Sequence, residues 1–345
     1  IDGGLNADSV DGGDGDDTIT GGNGADTLNG QDGDDQLFGF DGNDVLNGGA
    51  GADVLNGADG IDTASYSNAA SAIRVQLWNG SGIAGEATGD TLSSIENVIG
   101  SQFNDTVAGD AADNRFVGRA GDDAFYASDG DDVLNGGLGA DILNGGDGND
   151  TVTYEDATEG VRVQLWSGQG LAGEAAGDTY SSIETVIGSD FDDTVAGSNA
   201  DETFAAGDGD DSVYAGDGAD IVKGLGGDDS LNGQGGEDTL QGFEGDDVLH
   251  GGEDDDVLTG GSGDDTFRFA EDDDMDRISD FAAGAGSEDV IRLTGFGSAF
   301  DSFAEVMAAA SDNGTDTTID FGNGDVLVLN NVVVADLHTD DFIFG

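Results

Sequence analysis

Gly12-Gly13-Asp14-Gly15-Asp16-Asp17-Thr18-Ile19-Thr20 is followed at once by Gly21-Gly22-Asn23-Gly24-Ala25-Asp26-Thr27-Leu28-Asn29, one nine-residue phrase written twice. Its form is G-G-x-G-x-D-x-U-x, where U is a large apolar residue. Working outward, the same phase places Asp at Asp8, Asp17, Asp26, Asp35, Asp44, Asp53 and Asp62, with Val10, Ile19, Leu28, Leu37, Leu46, Leu55 and Ala64 two residues later. It returns at Asp105, Asp123, Asp132, Asp141 and Asp150, and again at Asp193, Asp211, Asp220, Asp229, Asp238, Asp247, Asp256 and Asp265. Of 22 repeats, 20 have Asp at the sixth position, the exceptions being Asn114 and Glu202. An acidic low-complexity tract would show no such phase between Asp and the apolar residue after it.

A repeat of this length implies a solenoid, because one unit cannot bury its apolar face alone. Six residues of loop and three of strand make half a coil, so loops alternate sides and repeats two apart stack directly. Strands stack ~4.8 Å apart. At that spacing each Asp lies over another, which costs ~1 kcal/mol per pair in water and ~3.5 kcal/mol at an effective dielectric of 20. A divalent cation between loops reverses the sign. Calcium accepts six to eight oxygens in irregular geometry, whereas magnesium demands a tighter octahedron. The candidate ligands are the sixth-position aspartates named above. Beside them stand glycines free to adopt positive φ and aim their carbonyls inward: Gly13, Gly15, Gly22, Gly24, Gly33, Gly42, Gly49, Gly51, Gly137, Gly139, Gly146, Gly148, Gly209, Gly218, Gly227, Gly236, Gly245 and Gly263. The spacing allows roughly 10 to 16 calcium ions between stacked loops. Phe103, Ala112, Phe191 and Ala200 replace the fourth-position glycine, and sites beside them or beside Asn114 and Glu202 are expected to be weak or empty.

Composition agrees with a cation ligand. Among 345 residues, 75 are Asp or Glu and 8 are Lys or Arg, a net charge of −67. Nucleic acid and anionic membrane are poor partners for such a surface. There is no Cys, hence no disulfide or thiolate metal site, and no Pro. No apolar run approaches membrane-spanning length, so membrane insertion is not expected. Leu, Ile, Val and Phe make up about 22% of the chain, barely above the ~20% that marks disorder at high net charge. The 64 glycines add to the entropy cost of folding. An ion-free chain should therefore be largely unfolded. The opening Ile1-Asp2-Gly3-Gly4 carries no initiator Met and no basic leader, and reads as a fragment boundary.

A longer repeat overlies the first. Tyr66 to Gly109 matches Tyr154 to Gly197, for example Arg74-Val75-Gln76-Leu77-Trp78 with Arg162-Val163-Gln164-Leu165-Trp166. Alternating Ile73, Val75, Leu77 and Val161, Val163, Leu165 predict strands in wider coils. After Phe269 the glycine rhythm stops. Ile278, Phe281, Val290, Ile291 and Leu293 suggest short strands, Ser298 to Ala310 a helix, and Thr317 to Phe321 with Val326 to Leu329 a hairpin. The expected division is repeat arrays at 1–65, 100–153 and 188–268, inserts at 66–99 and 154–187, and a cap at 269–345. The fold class is all-β, a parallel β-roll with two duplicated inserts and a small C-terminal α+β cap.

These nonapeptides resemble the repeats-in-toxin (RTX) family, the hemolysin-type calcium-binding repeats. The resemblance implies a right-handed β-roll with calcium between turns, folding on meeting external calcium, and secretion from a Gram-negative bacterium through type I machinery. Asp276-Arg277-Ile278-Ser279-Asp280-Phe281 with Asp289-Val290-Ile291-Arg292-Leu293 is similar to the stretch that follows such rolls. Asp341-Phe342-Ile343-Phe344 resembles the family's C-terminal secretion signal.

Other motifs carry less. Gly-rich spacings lack a phosphate-loop Lys, and carboxylate pairs are explained by their phase. His250, expected to face solvent, and His338 in the cap are isolated, so the region is not expected to be an enzyme. Arg74, Gln76 and Trp78, with Arg162, Gln164 and Trp166, share a strand face that would suit a glycan or surface partner, or intramolecular stacking and burial. The reading is a secreted, extracellular or cell-surface calcium-binding module that folds on calcium and stabilises a larger protein. The alternatives are an adhesin, surface-layer or carbohydrate-binding module, and part of a secreted protease, lipase or epimerase whose catalytic domain lies upstream.

Overall fold

Each repeat reverses at its glycines and then runs straight for three residues, the seventh and ninth outward and the eighth inward, as a pleated strand requires. The computed structural model describes residues 1–286 and 289–345 and comprises two compact units, Ile1–Tyr154 with Gly168–Ile183, and Glu155–Ser167 with Glu184–Gly345.

In the first unit, strands Thr18–Asn23, Gln36–Asp41 and Val54–Asp59 pair in parallel, Ile19 on Leu37 on Leu55. The intervening strands Ser9–Asp14, Thr27–Asp32, Val45–Ala50 and Thr63–Ser65 form a second parallel ladder, Val10 on Leu28 on Leu46 on Ala64. Ile19, Leu28, Leu37, Leu46 and Leu55 are all fully buried, so one side chain per half-coil builds a narrow core. The first insert rejoins both ladders through Thr91–Ser93, with Leu92 on Leu55, and Asn97–Ile99, with Val98 on Ala64. Between them, Arg74–Gln76 pairs antiparallel with Ser81–Ala84 and parallel with Thr106–Ala108. The insert is thus a wider coil carrying a hairpin, and Ile73, Val75 and Leu77 are buried as their alternation required. The strand stops at Gln76, and Trp78 sits on the 3-10 turn Leu77–Asn79.

In the second unit one ladder runs Val163, Val195, Val213, Leu231, Leu249, Phe267, Ile291, Phe342. The other runs Val186, Phe204, Val222, Leu240, Leu258, Ile278, Leu329. Both pass without a break from nonapeptides into the C-terminal region. The expected hairpin is present as Thr317–Gly322 and Asp325–Leu329. The helix is shorter than its apolar spacing suggested, Phe303–Ala309 with Val306 buried. Phe281 is buried but lies in no strand. No helix among the described residues is long and apolar enough to cross a membrane.

Candidate metal centre

The stacking step brings sixth-position residues into columns, and each carboxylate there is used asymmetrically. One oxygen accepts the backbone N–H of the sixth-position residue one coil before: Asp17 N to Asp35 Oδ1 at 2.7 Å, Asp26 N to Asp44 Oδ1 at 2.7 Å, Asp211 N to Asp229 Oδ1 at 2.9 Å, Asp229 N to Asp247 Oδ1 at 2.9 Å. The other oxygen is buried without a partner in Asp8, Asp26, Asp35, Asp44, Asp53, Asp62, Asp123, Asp132, Asp141, Asp211, Asp220, Asp229, Asp238, Asp247 and Asp256. A buried acceptor left without a partner costs ~1 to 3 kcal/mol, more when charged, and native folds do not repeat that cost along two columns without a ligand to relieve it.

The second donor type is main-chain. The ladder passes from Asp11–Asn29 to Gly13–Gln31, skipping first-position Gly12 and Gly30. A methyl group on Gly12 would lie 2.9 Å from both Asp17 Oδ2 and the Gly30 carbonyl oxygen. On Gly233 it would meet the Asp238 carboxylate and lie 2.5 Å from the Gly251 carbonyl. First-position glycine therefore keeps open a cradle lined by one carboxylate oxygen and the carbonyl of the next coil, a donor the sequence reading did not single out. The second and fourth positions do take positive φ, as at Gly13 (102°) and Gly15 (105°), and even Gln31 (82°) and Phe243 (81°) comply. Third-position carbonyls accept from fourth-position N–H groups, Gly15 N to Asp32 O at 2.6 Å, which ties the loops together. Among the described residues no three His, Cys, Asp or Glu side chains gather around one point. A cation must draw on backbone oxygens as well, and an all-oxygen, mixed carboxylate and carbonyl set is the chemistry calcium takes.

Burial pushes these carboxyls up, their N–H bonds pull them down, and neighbouring carboxylates push them up again. Asp53 is raised to about 6, Asp141 and Asp229 to about 7, and Asp123 and Asp211 to about 8. Carboxylates so disfavoured in the ionised form await either protons or a cation.

The loops flagged as weak are built differently. Ser101 donates to Asp105 from its N at 2.5 Å and its Oγ at 2.8 Å, and Ser189 treats Asp193 likewise at 2.6 and 2.9 Å. Ser198 N donates to Glu202 Oε2 at 2.9 Å. Asn114 Nδ2 donates to the Glu96 carbonyl at 3.0 Å. Among the described residues further carboxylates join the columns outside the nonapeptides: Asp90 over Asp53, Glu96 over Asp62, Asp178 over Asp141, Asp276 over Asp256 and Asp289 over Asp265. Each has an apolar residue two positions on (Leu92, Val98, Tyr180, Ile278, Ile291), the part of the repeat signal that survives loss of the second- and fourth-position glycines.

His250 does not face solvent: its Nε2 lies 3.3 Å from Asp273 Oδ2 and it is largely covered. Trp78 and Trp166 are 62% and 65% exposed, which leaves the insert loops not burying them.

The family model for the RTX calcium-binding nonapeptide repeat matches residues 2–37, 29–64, 91–125, 99–134, 117–152, 178–213, 205–240 and 241–276, well over half of the chain. A comparison with curated proteins finds no match. Among solved structures, the extracellular lipase LipA from Serratia marcescens is similar at 17% identity and a TM-score of 0.32, over 72% of this chain and 40% of the lipase. The AlgE6R3 subunit of the Azotobacter vinelandii mannuronan C5-epimerase is similar at 27% identity and a TM-score of 0.22, over 44% of this chain and 78% of that subunit.

Proposed function

The chain belongs to the RTX calcium-binding nonapeptide repeat family, and from that premise we propose that it is a calcium-triggered folding module of a secreted protein. The observation that carries this reading is the pair of columns of buried, half-satisfied aspartates. A bound calcium ion supplies the positive charge and open coordination that these oxygens lack. The sixth-position aspartates and first-position carbonyls hold it, the positive-φ glycines shape the loop, and the eighth-position residues close over the core. Roughly 10 to 16 ions is the expected complement. Without them the columns repel, and the export-competent state is the unfolded chain. The arrays, inserts and cap named from the sequence are the proposed divisions, with 269–345 covering the last coil and its final apolar residues carrying the type I export address. The module stabilises a larger extracellular protein and is not itself catalytic. Far-ultraviolet circular dichroism and small-angle scattering during calcium titration test this: coil-like and expanded in chelator, β-rich and compact with calcium. A chain equally folded in both sinks the proposal.

The exposure of Trp78 and Trp166 favours a second reading, a glycan or cell-surface contact on the inserts. Replacing both by Ala should abolish any glycan-array or cell-binding signal, and unchanged binding removes that reading.

A further inference from the structure

Where the inserts meet the columns, the carboxylate oxygen that most repeats leave without a protein partner has one at Asp90 and Asp178. Tyr66 is buried, and its hydroxyl donates to Asp90 Oδ2 at 3.0 Å while Asp53 N holds Asp90 Oδ1 at 2.9 Å. The second insert repeats this with Tyr154, whose hydroxyl donates to Asp178 Oδ2 at 2.8 Å while Asp141 N holds Asp178 Oδ1 at 2.9 Å, and adds the buried Tyr180, whose hydroxyl bonds both Tyr154 and Asp178. A neutral O–H bond thus completes the carboxylate. Just after each insert, the Ser101 and Ser189 backbone N–H groups take Oδ2 of Asp105 and Asp193 while their hydroxyls donate to Oδ1, Ser198 donates from N and Oγ to the two oxygens of Glu202, and Asn114 brings its own N–H donor to the position. Six departures from the repeat, in two copies of one ancestral unit, share one consequence.

We propose that the two inserts are cation-free stitches, in which Tyr66 and Tyr154 take the cation's place and hold their coils folded when calcium is absent. This rests on calcium filling the ordinary repeats. Four of the about sixteen inter-loop gaps open on Asp105, Asn114, Asp193 or Glu202 and are closed in this way, leaving about twelve for ions. Each insert adds local antiparallel pairing that a plain nonapeptide lacks, Ser81 on Gln76 and Gly82 on Val75 in the first and Gln169 on Thr179 in the second. The ion-free chain is then a string with two ordered islands from which the roll grows as calcium arrives.

Hydrogen exchange by mass spectrometry on the full chain tests it, in chelator and in calcium. In chelator, segments 73–99 and 161–187 should exchange at least about tenfold more slowly than the repeats around Asp26 or Asp229. Tyr66→Phe, Tyr154→Phe and Tyr180→Phe combined should remove that protection by about tenfold or more in chelator while the calcium-loaded protein stays protected. Tyr126→Phe, on an exposed ring, serves as the control and should change nothing. Insert segments that exchange as fast as the repeats in chelator, or that keep their protection in the triple variant, overturn the proposal. If calcium protects no repeat at all, it is the underlying reading of the repeats that fails.

Discussion

At the scale of one residue, the sixth-position Asp does two jobs with two oxygens: Oδ1 caps the N–H of the coil before, and Oδ2 points into the cradle that first-position glycine leaves open. Asp229→Asn separates them. The amide keeps an acceptor for Asp211 N but gives up the charge and one ligand. Calcium counting by native mass spectrometry should show a loss of one or two ions, and calcium-dependent stability should drop by ~1.4 kcal/mol per lost site if free calcium is about ten times the dissociation constant. An unchanged count would show that Asp229 is no ligand. Three repeats carry Ala at the first position, Ala127, Ala206 and Ala215, all buried. Their methyls stand in the cradle, so Ala215→Gly should lower the calcium concentration at half-folding, despite ~1 kcal/mol of added backbone entropy cost. A midpoint that rises would mean the cradle is not where the ion sits.

At the scale of elements, the arrays were readable in advance because every coil repeats the same two cues, a carboxylate and an apolar residue two places on. The Asp90, Glu96, Asp178, Asp276 and Asp289 coils kept those cues but lost the second- and fourth-position glycines, so their place in the columns became visible only in the fold. The carbonyl of first-position glycine was equally hidden, since every residue has one and only the skipped ladder pairing shows which is left over. His250 was misplaced because its partner, Asp273, comes from the strand connection beyond the periodic region. The C-terminal coils continue the two ladders of the second unit. Strand Asp325–Leu329 lies on Met275–Ile278 and keeps Leu327 at 1% exposure. Leu327→Asp would bury a charge against that strand and cost ~3 kcal/mol or more. Its expected signature is a calcium titration that loses cooperativity first in segment 248–278, followed by exchange mapping; uniform behaviour along the chain would show that the last coil needs no cover.

At the scale of the whole molecule, protons and calcium compete for the same oxygens, and the two folded states should respond to pH in opposite senses. In the ion-free roll the buried aspartates have values raised from 3.8 to about 6 at Asp53, about 7 at Asp229 and about 8 at Asp123 and Asp211, chiefly by burial. The folded state then binds more protons than the unfolded one between about pH 4 and pH 8, so its stability falls as pH rises through that window. Acid should partly stand in for calcium: in chelator, the chain at about pH 5 should be more compact and richer in β signal than at about pH 8. With calcium the ligands must be ionised, so stability is present at about pH 8 and declines as protons displace the ion toward pH 5. Because the sequence pI is near 4.1, measurements belong at low protein concentration and above pH 4.5. Scattering and circular dichroism across this range, with and without calcium, should give two curves of opposite slope. A chelated chain that stays equally expanded from pH 8 to pH 5 would mean that carboxylate repulsion is not what holds the ion-free roll open, and the glycine entropy cost would have to carry that role alone.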